Sequence, residues 1–262
     1  MIEQSIQFID THAHLSLTQF DQDREAAVER ATHAQVARII EIGFDLASSR
    51  AAIALAEAYP QIFAVVGVQP NHLNELPEAW LSELRAMAAH PRVVAIGEIG
   101  LDFYWMKAPL EAQEQAFRAQ LALARELGLP VVIHSRDAAT DTLRILDHAA
   151  RGQPGVMHSF LGDWSFAQGC LDVGFMLSFS GPLTFSKSTA LHEVARLAPA
   201  DRLLTETDSP YLSPNPLRGQ RNEPANVALI ARQLATLRKE PLPNIAKQIW
   251  TNAEQLFFRL RA

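Results

Sequence analysis

Four histidines and two carboxylates stand where a divalent metal could use them. His12 and His14 lie in Asp10-Thr11-His12-Ala13-His14, Glu98 in Gly97-Glu98-Ile99-Gly100-Leu101-Asp102, and His134 in His134-Ser135-Arg136-Asp137. His158 follows in Met157-His158-Ser159 and Asp208 in Glu206-Thr207-Asp208-Ser209-Pro210. Nearly all of these stretches come directly after an apolar, β-branched run. Alternate residues of a strand share a face, so His12 and His14 point the same way and can chelate one ion. A buried carboxylate is costly unless paired or metal-bound. A set of this size without a metal would leave several polar groups unsatisfied. Six ligands are too many for one catalytic ion that keeps an open position, and they suit two ions sharing a carboxylate. The expected division is His12, His14 and Asp208 on one ion, His134 and His158 on the other, and Glu98 bridging. A water activated by the pair is then the nucleophile, with Asp208 placed to take its proton. Glu98 and Asp208 are thus the expected catalytic carboxylates. Imidazole-rich ligation favours Zn, Mn, Fe, Co or Ni, whereas Mg prefers oxygen ligands. Mg, Mn and Zn all stay open. Metal-dependent hydrolysis is the class of chemistry implied.

Ligands so far apart in sequence converge only if the elements carrying them close round one axis. Apolar strand candidates run from Ile6 to Asp10, Arg38 to Gly43, Phe63 to Val68, Val93 to Glu98, Val131 to His134, Gly155 to His158, Phe175 to Ser180 and Leu203 to Asp208. Helix-period segments alternate with them, from Asp21 to Ala34 through Ser188 to Leu197, and a helical tail follows from Glu223. Strict β/α alternation predicts a parallel sheet. Eight strands in 262 residues predict a TIM-like (β/α)8 barrel with its chemistry at the C-terminal mouth. The glycine-rich phosphate fingerprint of a dinucleotide fold is missing after the first strand. Gly128-Leu129-Pro130 stops a helix before strand five, and the Pro-rich stretch from Ser209 to Pro224 is expected to loop over the mouth. With no linker-like run, one domain spanning 1–262 is the simplest organisation. The amphipathic tail from Pro243 to Leu260 suits packing on the barrel or on another subunit, so a monomer or weak oligomer is expected.

Composition narrows the function classes. With 48% hydrophobic and 20% charged residues, the chain has material for a core and little bias toward disorder. Cys170 is the only cysteine, which excludes an intramolecular disulfide and a Cys-rich zinc site. Twenty-three Lys and Arg against 29 Asp and Glu give a net charge of −6, which argues against broad adhesion to nucleic acid. An enzyme that grips a strand end through metals and a few Arg needs no basic exterior. A strand-like run begins by Ile6 without a basic region and a long apolar stretch, so no signal peptide or membrane span is indicated and the cytoplasm is the expected location.

The stretches Ile9-Asp10-Thr11-His12-Ala13-His14-Leu15, Gly97-Glu98-Ile99-Gly100-Leu101-Asp102-Phe103-Tyr104, His134-Ser135-Arg136-Asp137-Ala138 and Glu206-Thr207-Asp208-Ser209-Pro210-Tyr211-Leu212 resemble the TatD family of metal-dependent deoxyribonucleases. Leu177-Ser178-Phe179-Ser180-Gly181 and Arg221-Asn222-Glu223-Pro224-Ala225-Asn226-Val227 extend the resemblance over most of the chain. It implies a TIM-like barrel of the amidohydrolase superfamily, two divalent ions on the same six residues, and hydrolysis of phosphodiester bonds in DNA, often from the 3′ end. A 3′ to 5′ exonuclease on single-stranded DNA is the expected activity. An amidohydrolase or lactonase acting on a small molecule with the same dinuclear site is the alternative.

Two positions depart from the family pattern. Where members usually carry Gly-Val-His-Pro after strand three, this chain has Gly67-Val68-Gln69-Pro70-Asn71-His72. Gln69 can donate a hydrogen bond but carries no charge or proton. Either the substrate phosphate is held more weakly, or His72 reaches in from the loop. Ser159 replaces the usual Cys after His158, which retains the ligand. Arg136 lies two residues beyond His134 on the same face, where it can meet an anionic substrate or pair with Asp137 or Asp102. Arg221 and Arg218 sit in the Pro-rich loop where a phosphate clamp would be placed. Phe103, Tyr104 and Trp105 either stack on a base or pack their loop onto the barrel.

Overall fold

The computed structural model describes residues 6–74 and 76–261. Eight strands, β1 (Phe8–Ala13), β2 (Val36–Ile42), β3 (Ile62–Val66), β4 (Val93–Asp102), β5 (Val131–Arg136), β6 (Gly155–Met157), β7 (Met176–Phe179) and β8 (Leu203–Thr205), pair in parallel in sequence order. Helices α1 (Arg24–His33), α2 (Leu46–Ala58), α3 (Trp80–Ala88), α4 (Leu110–Leu127), α5 (Ala139–Ala149), α6 (Trp164–Val173) and α7 (Thr189–Leu197) connect them. Helices α8 (Val227–Arg238) and α9 (Leu242–Leu256) follow β8. The result is a TIM-like (β/α)8 barrel. Helices cover the outer face of the sheet, so strands such as β3 and β4 are buried along their whole length and read as near-continuous apolar runs.

Closure is made by β1 and the chain just beyond β8. The Asp208 amide donates to the His12 carbonyl at 2.9 Å and the His14 amide to the Ser209 carbonyl at 2.8 Å. Asp10, fully buried, reinforces the seam: its carboxylate accepts from the Thr207 amide and hydroxyl. Burial pushes the Asp10 carboxyl up to about 8 against the pull of those Thr207 bonds. Helix α9 lays Ile245, Ile249, Ala253 and Leu256 into the core, while Asn252 donates to the carbonyls of Ala200 and Leu203 below β8. The amphipathic tail therefore packs on the barrel.

Three strands run further than their apolar stretches suggest. β1 continues past Asp10 to Ala13, β4 past Glu98 to Asp102, and β5 past His134 to Arg136. His12, Glu98 and His134 consequently lie within strands rather than at their ends. The register slips between Asp10 and Ala13 and between Ile96 and Ile99. Polar side chains at the mouth satisfy one another there, so pairing does not stop where hydrophobicity does. Helix α1 begins at Arg24 rather than Asp21, because Thr18–Phe20 forms a 3₁₀ turn and the Arg24 guanidinium binds the Leu15 carbonyl.

Gly100 faces His134 across the β4/β5 pairing with φ +146°, and a Cβ added there would lie 1.9 Å from the His134 carbonyl oxygen. No side-chain rotation relieves a backbone clash of that kind. Gly100→Ala is expected to lower unfolding stability by about 3 kcal/mol, read from urea denaturation. A variant as stable as the parent would show that β5 yields more easily than this pairing implies.

Candidate metal centre

The six predicted ligands meet at the C-terminal mouth. β1 supplies His12, with His14 one residue beyond it. β4 supplies Glu98, β5 supplies His134, His158 directly follows β6, and Asp208 lies three residues past the end of β8. Potential ligand atoms of His12, His14 and Asp208 fall within 4.8 Å of one another, as do those of Glu98, His134 and His158. Glu98 spans the two groups. Its Oε1 is 2.7 Å from His134 Nδ1 and 3.1 Å from His158 Nε2, while its Oε2 is 3.6 Å from His12 Nε2. Asp208 Oδ1 lies 3.5 Å from His14 Nε2 and 3.7 Å from His12 Nε2.

Groups outside the six fix how the imidazoles present themselves. His14 Nδ1 donates to the Ile42 carbonyl at 3.0 Å, and His158 Nδ1 and His134 Nε2 donate to Glu206 and Asp102, each at 3.1 Å. With those N–H groups turned outward, the remaining nitrogen of each ring points into the cluster, where it can offer a lone pair to a cation once its proton is displaced. His12 Nε2 faces His14 Nε2 at 3.2 Å, and His134 Nδ1 faces His158 Nε2 at 3.4 Å. Lone pairs and carboxylate oxygens converging at such distances in a buried site fit a cation between them. The donor set thus suits two divalent ions. Sequence reasoning did not assign Glu206 or Asp102 these roles, although both lie in the motifs that carry Asp208 and Glu98.

The cluster is strongly coupled electrostatically. Burial works against ionised Glu98, yet His158, His12 and His134 hold its carboxyl well below the usual range. Burial likewise depresses His158, but Glu98 and Glu206 carry it well above the ordinary imidazole value. For His12, burial and the neighbouring His158 win, and its pKa falls. Burial alone would lower His14, whereas the hydrogen bond and charge of Asp208, with Glu98 and Glu41 behind, raise it to about 9. A divalent ion must displace that proton. Below about pH 9 metal binding is therefore expected to release protons, and affinity should rise with pH from 6 to 9. Calorimetric titration of the metal-free protein in buffers of different ionisation enthalpy measures this. Affinity that is flat or falls over the range would contradict the assigned protonation.

All of the six but the fully buried His12 line the floor of an open cavity of about 1150 Å³ lined also by Gln69, His72, Tyr104, Trp105, Arg136 and Tyr211. Gln69 Oε1 accepts from the Asn71 amide at 3.0 Å and caps the 3₁₀ turn Pro70–His72, which presents His72 on the same wall. His72 packs on Phe44 with ring centroids 4.8 Å apart, and burial lowers its pKa. Arg136 pairs with neither Asp137 nor Asp102; its guanidinium lies 4.1 Å over the Tyr104 ring. Arg221 is placed elsewhere. It forms a two-pronged bond to Asp23 at 2.6 and 2.8 Å, donates to the Gln19 carbonyl and lies over Phe20, outside the cavity lining. Glu223 anchors the same loop through Arg30. Arg218, also outside the cavity, rests 4.4 Å over Phe185.

Known proteins are similar to this chain across nearly its whole length. The profile of the family described as TatD related DNase matches residues 9–258. An uncharacterized metal-dependent hydrolase, YabD, of Bacillus subtilis is 43% identical over 249 residues, covering 95% of this chain and 98% of that protein. A Pantoea vagans protein named 3′-5′ ssDNA/RNA exonuclease TatD is 40% identical over 255 residues, with 95% and 98% covered. The crystal structure of YjjV, a TatD homolog from Escherichia coli K12, superposes with a TM-score of 0.91 at 33% identity, covering 97% of this chain and 98% of that one. No helix among the described residues is long and apolar enough to cross a membrane. Barrel, ligand clusters and family profile agree, and the chain belongs to the TatD family of metal-dependent hydrolases.

Proposed function

We infer that the protein is a divalent-metal-dependent phosphodiesterase that removes nucleotides from single-stranded DNA in the 3′ to 5′ direction. The observation that carries this is Glu98 linking two candidate ligand triads at the floor of an open cavity. The relatives named as 3′-5′ ssDNA/RNA exonucleases support the same substrate class. Two divalent cations, when bound, supply the charge that makes water acidic at neutral pH and offsets negative charge developing on phosphoryl oxygens. His12, His14 and Asp208 would hold one, and His134 and His158 the other, with Glu98 shared.

The chain's own groups do the rest. Asp208 has the more exposed side chain of the two carboxylate ligands, at 14% against 6% for Glu98, and accepts the proton lost as water attacks phosphorus, while the bond from phosphorus to the preceding nucleotide's 3′-oxygen breaks and that oxygen takes a proton from solvent. Neighbouring His14, His12 and His158 overcome its burial and keep its carboxyl ionised, so that it is ready to accept. Arg136 reaches the non-bridging phosphate oxygens from the cavity wall, and Gln69 and His72 approach them from the opposite element, Gln69 through its amide nitrogen. Its oxygen is already engaged by the Asn71 amide.

Cleavage of 5′- and 3′-labelled single- and double-stranded oligonucleotides with Mg, Mn or Zn, beside an amide and lactone panel, tests this assignment. Stepwise shortening from the 3′ end of single strands is expected. Turnover confined to the amides or lactones would overturn it in favour of a small-molecule hydrolase.

A further inference from the structure

The cavity has one wall that metal ligation does not explain. Tyr104 and Trp105 are 55% and 57% exposed, and both stand on the mouth of the cavity that ends at the ligand triads. Single exposed aromatics are ordinary on protein surfaces. These two are held in a defined posture. Their rings meet edge to face with centroids 4.9 Å apart, and the Arg136 guanidinium lies 4.1 Å over Tyr104 and 5.7 Å from the Trp105 ring. Among the described residues Arg136 has no carboxylate partner, so its charge faces the cavity uncompensated.

Asp102 ties this wall to the ligands. Its Oδ1 accepts the backbone amides of Tyr104 at 3.0 Å and Trp105 at 2.8 Å, while its Oδ2 accepts from His134 Nε2 at 3.1 Å and from Asn71 at 2.8 Å. One fully buried carboxylate therefore fixes both the aromatic turn and a ligand imidazole. Anything stacked on the rings is held at a set distance from the reacting centre.

We propose that the face of Trp105, braced edge to face by Tyr104 and with Arg136 beside it, forms a stacking platform for an unpaired nucleobase near the scissile phosphate. The platform makes a free base, rather than sequence or duplex shape, the feature that this enzyme recognises. The proposal rests on the nuclease assignment above. Every base offers a π-face, so recognition of this kind is sequence-tolerant. A base within a duplex has both faces covered by its neighbours and cannot use the platform until the end frays. Arg136 supplies the cation that a stacked nucleotide's phosphate needs, in a planar form that also lies flat on aromatic rings.

Steady-state cleavage of end-labelled single strands that are intact or carry abasic sites in the terminal three positions, by parent and Trp105→Ala, tests the platform. The backbone amide that Asp102 holds is retained in this variant, and bound-metal analysis verifies that the centre is loaded. Stacking on one base corresponds to about a tenfold change in affinity. For Trp105→Ala, KM on intact strands is expected to rise about tenfold with kcat within about threefold. The parent should lose about the same factor on abasic strands, and the variant should lose little more there, because the partner is already gone. A parent indifferent to abasic ends, or a variant with parental KM, overturns the platform and leaves the nuclease assignment intact. A parent that cleaves no oligonucleotide with any of the three metals overturns both.

Discussion

Glu98→Ala is expected to reduce phosphodiester turnover by about a thousandfold or more and to leave at most one ion bound per chain. Its carboxylate is the side chain that reaches both triads, with His134 and His158 within 3.1 Å of one oxygen and His12 within 3.6 Å of the other. Shortening it to Ala removes a ligand from each site and takes a negative charge from the midst of three buried imidazoles. Those rings then repel a cation with less to offset them. Glu98→Gln separates the contributions, since it retains shape and hydrogen bonding but loses the charge. It should fall between parent and Ala in metal content. Far-UV circular dichroism checks that the barrel persists, and plasma mass spectrometry counts the ions. Two ions per chain with parental turnover in the Ala variant would remove Glu98 from the shared position.

Asp208→Asn should be nearly as damaging in activity, by about a hundredfold to a thousandfold, but more selective in metal loss. Asp208 touches His12 and His14 and belongs to the triad on that side alone. The ion held by His134, His158 and Glu98 should survive. Asn is chosen because Asp208 has φ +57°, a left-handed conformation that Asn tolerates and Ala resists. Loss of activity then reports the missing charge rather than a rebuilt backbone. The measurement is metal stoichiometry alongside kcat on an oligonucleotide. One ion with turnover lost is expected, and parental turnover with both ions bound would show that Asp208 neither ligates nor accepts the proton.

The candidate ligands could be picked out together because a barrel imposes a simple rule on such residues. Strand-end positions converge, and His12, His14, Glu98, His134, His158 and Asp208 each stand at or just beyond an apolar run. The groups that orient them were harder to assign. Glu206 and Asp102 sit beside ligands in sequence, but which imidazole each binds depends on how neighbouring strands are staggered. Asp10 looks like a residue of the first motif and serves as the clasp between β1 and the chain beyond β8, through Thr207, 197 positions away. Arg221 shows the opposite failure. Its place in the loop after β8 suggested a phosphate clamp, whereas Asp23, 198 positions away, holds it outside the cavity. Strand ends were misplaced wherever polar ligands continued a strand, because hydrophobicity marks burial in a core and not hydrogen bonding at a mouth.

The most direct test is anomalous diffraction from crystals of the protein grown with Mn or Zn. Two peaks per chain are expected, about 3.5 to 4 Å apart, one among His12, His14 and Asp208 and the other between His134 and His158, with Glu98 touching both. A single peak, or two peaks that leave Glu98 without a metal contact, would contradict the shared-carboxylate centre.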